Sequence, residues 1–236
     1  YVLTITISIA AGADAIFSFL PQGWAHHKLT FAVFGTVVMI VMNMRGVKES
    51  VVPLVPVFLL FIVTHFFAIV YGLAVHVKDL PAFAGEMAAD LRSAHAEIGL
   101  LAMAGLVLRA YSMGAGTFTG IEAVSNGLQI LREPRVQTGK RTMLYMSLSL
   151  ASTAAGLIFV YLLFHVEPQK GKTLNAVLFG AITQNWGAAG QAFVYVTLFS
   201  EAMLLIIAAQ AGFLDGPRVM SNMALDRWFP SKFAIL

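Results

Sequence analysis

The chain contains no cysteine. That excludes a structural disulfide and a thiolate metal site. Charge is scarce as well. Asp, Glu, Lys and Arg make up 11% of the 236 residues, where a soluble domain carries about a quarter. Catalytic groupings are missing too. The six histidines (His26, His27, His65, His76, His95, His165) are scattered, and there is neither an H-E-x-x-H pair nor a phosphate-binding G-x-x-x-x-G-K-[ST] loop. The GxG within GAGTFTG follows an apolar helix rather than a strand, so it fails as a dinucleotide fingerprint. No enzyme, no resident cofactor and no ATP-binding segment are expected, which leaves an ion gradient as the energy source. A basic start ahead of a short apolar stretch, the mark of a secretory signal, is also absent. The sequence opens without Met, inside an apolar run, and reads as the middle of a longer protein.

What is present is apolar. Hydrophobic residues reach 58% and mean hydropathy is +0.80. So few charges could not cover a water-soluble globule of this size, so the expected class is an all-α, polytopic integral membrane protein whose first partner is the lipid bilayer. The net charge of +3 and pI of 9.3 then read as basic cytoplasmic loops, not as a nucleic-acid surface.

A spanning helix needs roughly 20 mostly apolar residues. Six stretches qualify as spans of one transmembrane domain over 1–236: 1–20, 29–44, 51–77, 98–131, 142–164 and 188–213. Barrel strands would alternate in roughly ten-residue segments, and these runs are continuous and longer. If the first span starts on the cytoplasmic side, Arg45, Lys48, Arg132, Arg135, Lys140, Arg141, Arg218, Arg227 and Lys232 share that side, against Lys28, Lys78, Arg92, Lys170 and Lys172 on the other. The positive-inside bias therefore places both chain ends in the cytoplasm, with the plasma membrane as the expected location. Residues 81–97 read as an interfacial or solvated helix, and 173–183 as a re-entrant or surface helix, a lid over the outer vestibule.

The fourth span is interrupted. Gly114, Gly116 and Gly120 fall in one seven-residue window with Thr117 and Thr119. Each interior glycine costs a helix about 1 kcal/mol relative to Ala, so the stretch is expected to be unwound. Lipid tolerates unwound backbone only where protein or a water-filled cavity satisfies it, and broken helices of this kind build binding sites in many secondary transporters. Glu122 lies two residues beyond Gly120, near a helix N-terminus whose dipole favours its charge. Thr119 adds a hydroxyl. Together they suit a cation, or a proton that trades with one. The competing reading of the glycines is a small-residue packing face, since Gly116 and Gly120 have i, i+4 spacing.

Other polar residues lie at membrane depth. Tyr1, Thr4 and Ser8 recur at i, i+3 and i+7 as a hydroxyl stripe that could face the break or serve ordinary interhelical bonding. Asp14 reads as structural. Arg109 and Glu201 reach similar depth, and unpaired charges there are costly, so they are expected to form a gating ion pair or share a water network. His65 reads as a hydrogen-bonded bundle residue ahead of a proton carrier.

Four stretches carry a family resemblance. YVLTITISIAAGADAI (1–16), NMRGVKES (43–50), GAGTFTGIEAVSNG (114–127) with Glu133-Pro134 and Arg141-Thr142 beyond it, and DGPRVMSNMALDRWFP (215–230) resemble the third helix, the turn after the fourth, the broken sixth and the end of the eighth helix of the amino acid–polyamine–organocation (APC) superfamily. The resemblance implies part of a LeuT-type inverted repeat, helices three to eight. The T-G-x-E-A-x-S-N-G sixth helix looks like the branch with KUP-type potassium importers. It implies that Thr119 and Glu122, with Tyr1, Thr4 and Ser8 opposite, are potassium ligands or proton-coupling groups.

The expected function is proton-coupled uptake of a small cation such as potassium by alternating access. A proton-coupled amino acid permease is the alternative, because oxygen ligands and one carboxylate also suit an ammonium group. A channel or a non-transporting membrane subunit comes after that, and a homodimer stays open as an assembly.

Overall fold

The computed structural model describes residues 1–44, 55–114, 119–128 and 131–235. Among these the regular structure is helical throughout, with no strand. Eight α-helices follow in order: α1 (Val2–Phe17), α2 (Lys28–Met44), α3 (Val55–Val75), α4 (Leu80–Met113), α5 (Thr119–Asn126), α6 (Arg135–Leu163), α7 (Leu174–Thr183) and α8 (Ala188–Leu225). Five described helical stretches are long and apolar enough to cross a membrane: Gln22–Met44, α3, α4, α6 and α8. The protein is a polytopic, all-α membrane protein.

The expected spans map onto these helices with altered bounds. α1 has 16 residues, ending at Phe17 rather than 20. There Ser18 turns the chain: its Oγ donates to Asp14 O at 2.6 Å and accepts from Thr173 N at 2.9 Å. α8 runs on from the expected 213 to Leu225, through Pro217, for 38 residues. The stretch 81–97 is helical and continuous in trace with the fourth span. Gly99, at φ 74° and ψ 164°, breaks the helical backbone between them, in a conformation glycine adopts without strain. No residue of α4 is buried.

α8 is the hub. α1 runs antiparallel along it, with Gly12 facing Ala202 O and Gly212 facing Ile5. Small residues permit that approach, because in lipid helices associate by close packing rather than by water exclusion. Ile5, Ile9 and Ala209 form the core of the seam. On the other side of α8, a larger core joins Ala68 of α3, Val160 of α6, Ala176, Leu178, Phe179 and Ile182 of α7, and Leu198 of α8. The expectation of α7 as a surface lid is thereby corrected. Its apolar face, with Leu178 and Phe179 fully buried, is a wedge between α3 and α8. The Thr173 side chain caps it by accepting from Ala176 N at 3.2 Å.

Candidate functional site

α1, α5 and α8 meet at one end of the α1–α8 seam. Glu122 falls in the first turn of α5, where backbone N–H groups lack intrahelical partners and a carboxylate is favoured. Tyr1 stands at the start of α1, and its Oη donates to Glu122 Oε1 at 2.8 Å across 121 residues of chain. Thr4 and Ser8 follow on the next two turns of α1, the first half-buried and the second buried in the seam with α8. Of the predicted hydroxyl stripe, Tyr1 is therefore the member joined to Glu122 by a recorded hydrogen bond.

The glycine window divides. Gly114 caps α4 with near-helical angles and is exposed. Thr119 and Gly120 are helical, inside α5, so the expected unwinding does not extend to them. A Cβ at Gly120 would stand 2.6 Å from Met146 Cε, the flexible end of a side chain from α6. Gly116, Thr117 and the Thr119 side chain lie outside the described residues, as do Arg45, Lys48 and Pro53.

Sequence reasoning missed Asp215. It is buried on α8, beside Gly216, whose added Cβ would sit 3.6 Å from Tyr1 Cβ. Arg218 Nη1 lies 3.6 Å from its Oδ1, one turn on, and the negative charge of Glu122 reaches it. Two carboxylates and a phenol thus lie near one another, with Arg218 as a counter-charge to Asp215. The signal was a lone acid within helical reach of an apolar run. It lies two residues beyond the expected end of the sixth span at 213, and α8 carries on past it to Leu225.

The expected Arg109–Glu201 pair is replaced by a different set of partners. Arg109 is exposed on α4. Glu201 Oε2 instead accepts from Asn175 Nδ2 of α7 at 2.9 Å and lies 4.0 Å from His65 Nε2 of α3. Tyr161 Oη of α6 donates to Asn175 Oδ1. Equal depth along two spans says nothing about which faces they turn to each other, and α4 turns none of its residues into the core. His65 is a buried core residue whose Nδ1 bonds Phe61 O at 2.9 Å. Asp14 pairs with Lys28 at the exposed end of α1. Asn43 of α2 and Gln210 of α8 exchange two amide hydrogen bonds of 2.9 Å, a second polar cross-link that the sequence did not signal.

No family model matches the chain. It is 29% identical, over 239 aligned residues, to the potassium transporter KimA of Bacillus subtilis (strain 168). The alignment takes in all of this chain and 37% of KimA, so the chain spans little more than a third of that relative's length.

Proposed function

We propose that the chain belongs to a secondary active transporter of the APC superfamily, moving potassium by alternating access with a proton as coupling ion. The observation that carries this is the Tyr1–Glu122 hydrogen bond, which brings an ionisable oxygen pair to the α1–α5–α8 junction of a polytopic helical protein. Similarity along the whole of this chain to about a third of a protein named as a potassium transporter supports the choice of cargo. The cation is held by oxygen: the Glu122 carboxylate, the Tyr1 and Thr119 hydroxyls, and Thr4 and Ser8 along the same stripe. Asp215 adds a second negative charge behind them. A proton on Glu122 removes the charge that the cation needs, so the two exchange at one place. The membrane is the plasma membrane, with both ends of this chain on its cytoplasmic face.

Rubidium uptake by the full-length protein in proteoliposomes tests the proposal. Glu122→Gln keeps the shape and removes the charge. Uptake should fall at least tenfold and lose its dependence on pH, with Tyr1→Phe intermediate. Unchanged uptake in Glu122→Gln overturns the site. Uptake of an amino acid in place of rubidium overturns the cargo.

A further inference from the structure

A second ionisable pair lies where α3, α6, α7 and α8 meet. His65 has 1% of its side chain exposed and Glu201 has 16%. The Phe61 carbonyl can only accept, so His65 Nδ1 carries the hydrogen of their 2.9 Å bond. Thr64 Oγ1, 3.4 Å from the same nitrogen, has its own hydrogen directed at the carbonyls of Leu60 and Phe61. In the neutral ring Nε2 is then a bare acceptor. It is buried, it has no hydrogen-bond partner among the described residues, and it faces Glu201 Oε2 at 4.0 Å. The other such atom among the described residues, Thr197 Oγ1, lies on α8 one turn before Glu201.

Directions are fixed on the far side as well. Tyr161 donates to Asn175 Oδ1, and Asn175 Nδ2 donates to Glu201. Every hydrogen in the chain of bonds is directed toward the carboxylate, and none lies between the carboxylate and the imidazole. With the ring neutral and the carboxyl ionised, a lone pair and an anion would face one another there. One added proton turns that contact into a hydrogen bond, whether it is carried on Nε2 or on the carboxyl.

We infer that His65 and Glu201 together bind one proton, at a site separate from the Tyr1–Glu122 junction. The proton comes from bulk water, one N–H or O–H bond forms, nothing is oxidised, and the net charge of the cluster rises by one. Closing 4.0 Å to an ordinary N···O separation of about 2.9 Å draws α3 toward α8 by about 1 Å. The Phe61 ring, centred 3.9 Å from the imidazole, offers its face to the cationic form, and the Phe179 ring stands perpendicular to the imidazole at 5.3 Å. The titratable groups facing the pair are few. α6 contributes Tyr161, and α7 contributes the uncharged Asn175. α1 places Asp14 near the same level of α8, two residues beyond the Gly12–Ala202 contact, but Lys28 neutralises it. On α5 and further along α8, Glu122 and Asp215 belong to the other end of the seam.

The inference concerns the resting protein and does not rest on what is transported. Infrared difference spectra between neutral and acidic pH, on the full-length protein in lipid nanodiscs, read it directly. The wild type should show one carboxyl–imidazole titration step that disappears in Glu201→Gln and also in His65→Asn, which keeps the Nδ1-like donor and deletes Nε2. Glu122→Gln should leave it in place. A step that survives either of the first two substitutions, or that is lost with Glu122 alone, overturns the inference. If either variant fails to fold, ¹⁵N spectra of histidine-labelled wild type decide. A ring that keeps Nδ1–H and gains a proton only at Nε2 supports the site, as does a fixed Nδ1–H ring beside a titrating carboxyl. An Nε2–H neutral tautomer, or no titration of either group, refutes it.

Discussion

A methyl group added at position 212 would stand 2.7 Å from Ile5 Cγ1, 3.3 Å from its Cδ1 and 3.5 Å from the Tyr1 carbonyl oxygen. Ordinary carbon–carbon contact lies at about 3.5–4.0 Å, so α1 or Ile5 has to give by about 1 Å. Ile5 is a core residue of the seam, and its Cγ1 sits close to the backbone, so the helix moves with it. Overpacking of this kind costs about 1–3 kcal/mol. Gly212→Ala also gains about 1 kcal/mol of helix propensity, which leaves a net loss of about 0–2 kcal/mol. Gly180→Ala in α7 separates the two effects, because nothing lies within 4 Å of its added Cβ. The gap between the two variants isolates the clash, at about 1–3 kcal/mol. Unfolding of the full-length protein in detergent measures it. Adding Ile5→Ala to Gly212→Ala should recover part of the loss, since contacting residues couple by about 0.5–3 kcal/mol. Tyr1 lies one turn from Ile5, so Gly212→Ala should also weaken rubidium uptake while Gly180→Ala does not. Equal stability of the two glycine variants, or strict additivity of the Ile5 and Gly212 changes, would show that α1 and α8 are not in the close contact described.

Two further substitutions probe the framework. Thr173→Ala removes the cap of α7 and the hydroxyl contact with Ser18 but keeps the backbone bond to it; loss of such a cap costs about 1 kcal/mol, and the unfolding midpoint should fall while rubidium affinity is retained. Lys28→Met breaks a pair in which both side chains are 47% exposed; pairs of this kind contribute about 0–1 kcal/mol, so stability should change little and the residual difference should vanish in high salt.

The class of the protein was legible because it depends on counts and run lengths. Scarce charge and continuous apolar stretches specify helices in a membrane whatever their arrangement. α2 illustrates this, since its 17 residues match the expected span to within one position. Tyr1 and Glu122 were legible as candidates for a different reason: a hydroxyl stripe and an acid after glycines are local patterns. The partners of Glu201 were not. They come from two other helices, α3 and α7, and a span of uniform hydropathy does not declare which face it turns inward. The burial of α7 was hidden by its length, since a mostly apolar helix of ten residues suits a surface position and a core wedge equally. Asp215 lies two residues past the expected end of its span, where hydropathy falls although the helix does not stop. Pro217 sits inside α8, and the helix passes through it.

The length of α8 has an electrical consequence. Glu201 and Asp215 are both carried by this one helix, and fourteen residues of α-helix span about 21 Å. With α8 along the membrane normal, that is roughly two thirds of a hydrocarbon core of about 30 Å. A positive charge bound beside Glu201 and one bound beside Asp215 thus feel different fractions of the transmembrane voltage. Moving one elementary charge between those depths is worth about 1.5 kcal/mol per 100 mV. If a positive charge can occupy either end, hyperpolarisation would shift the relative occupancy of the two by about tenfold per 100 mV, without any change in the side chains that line them.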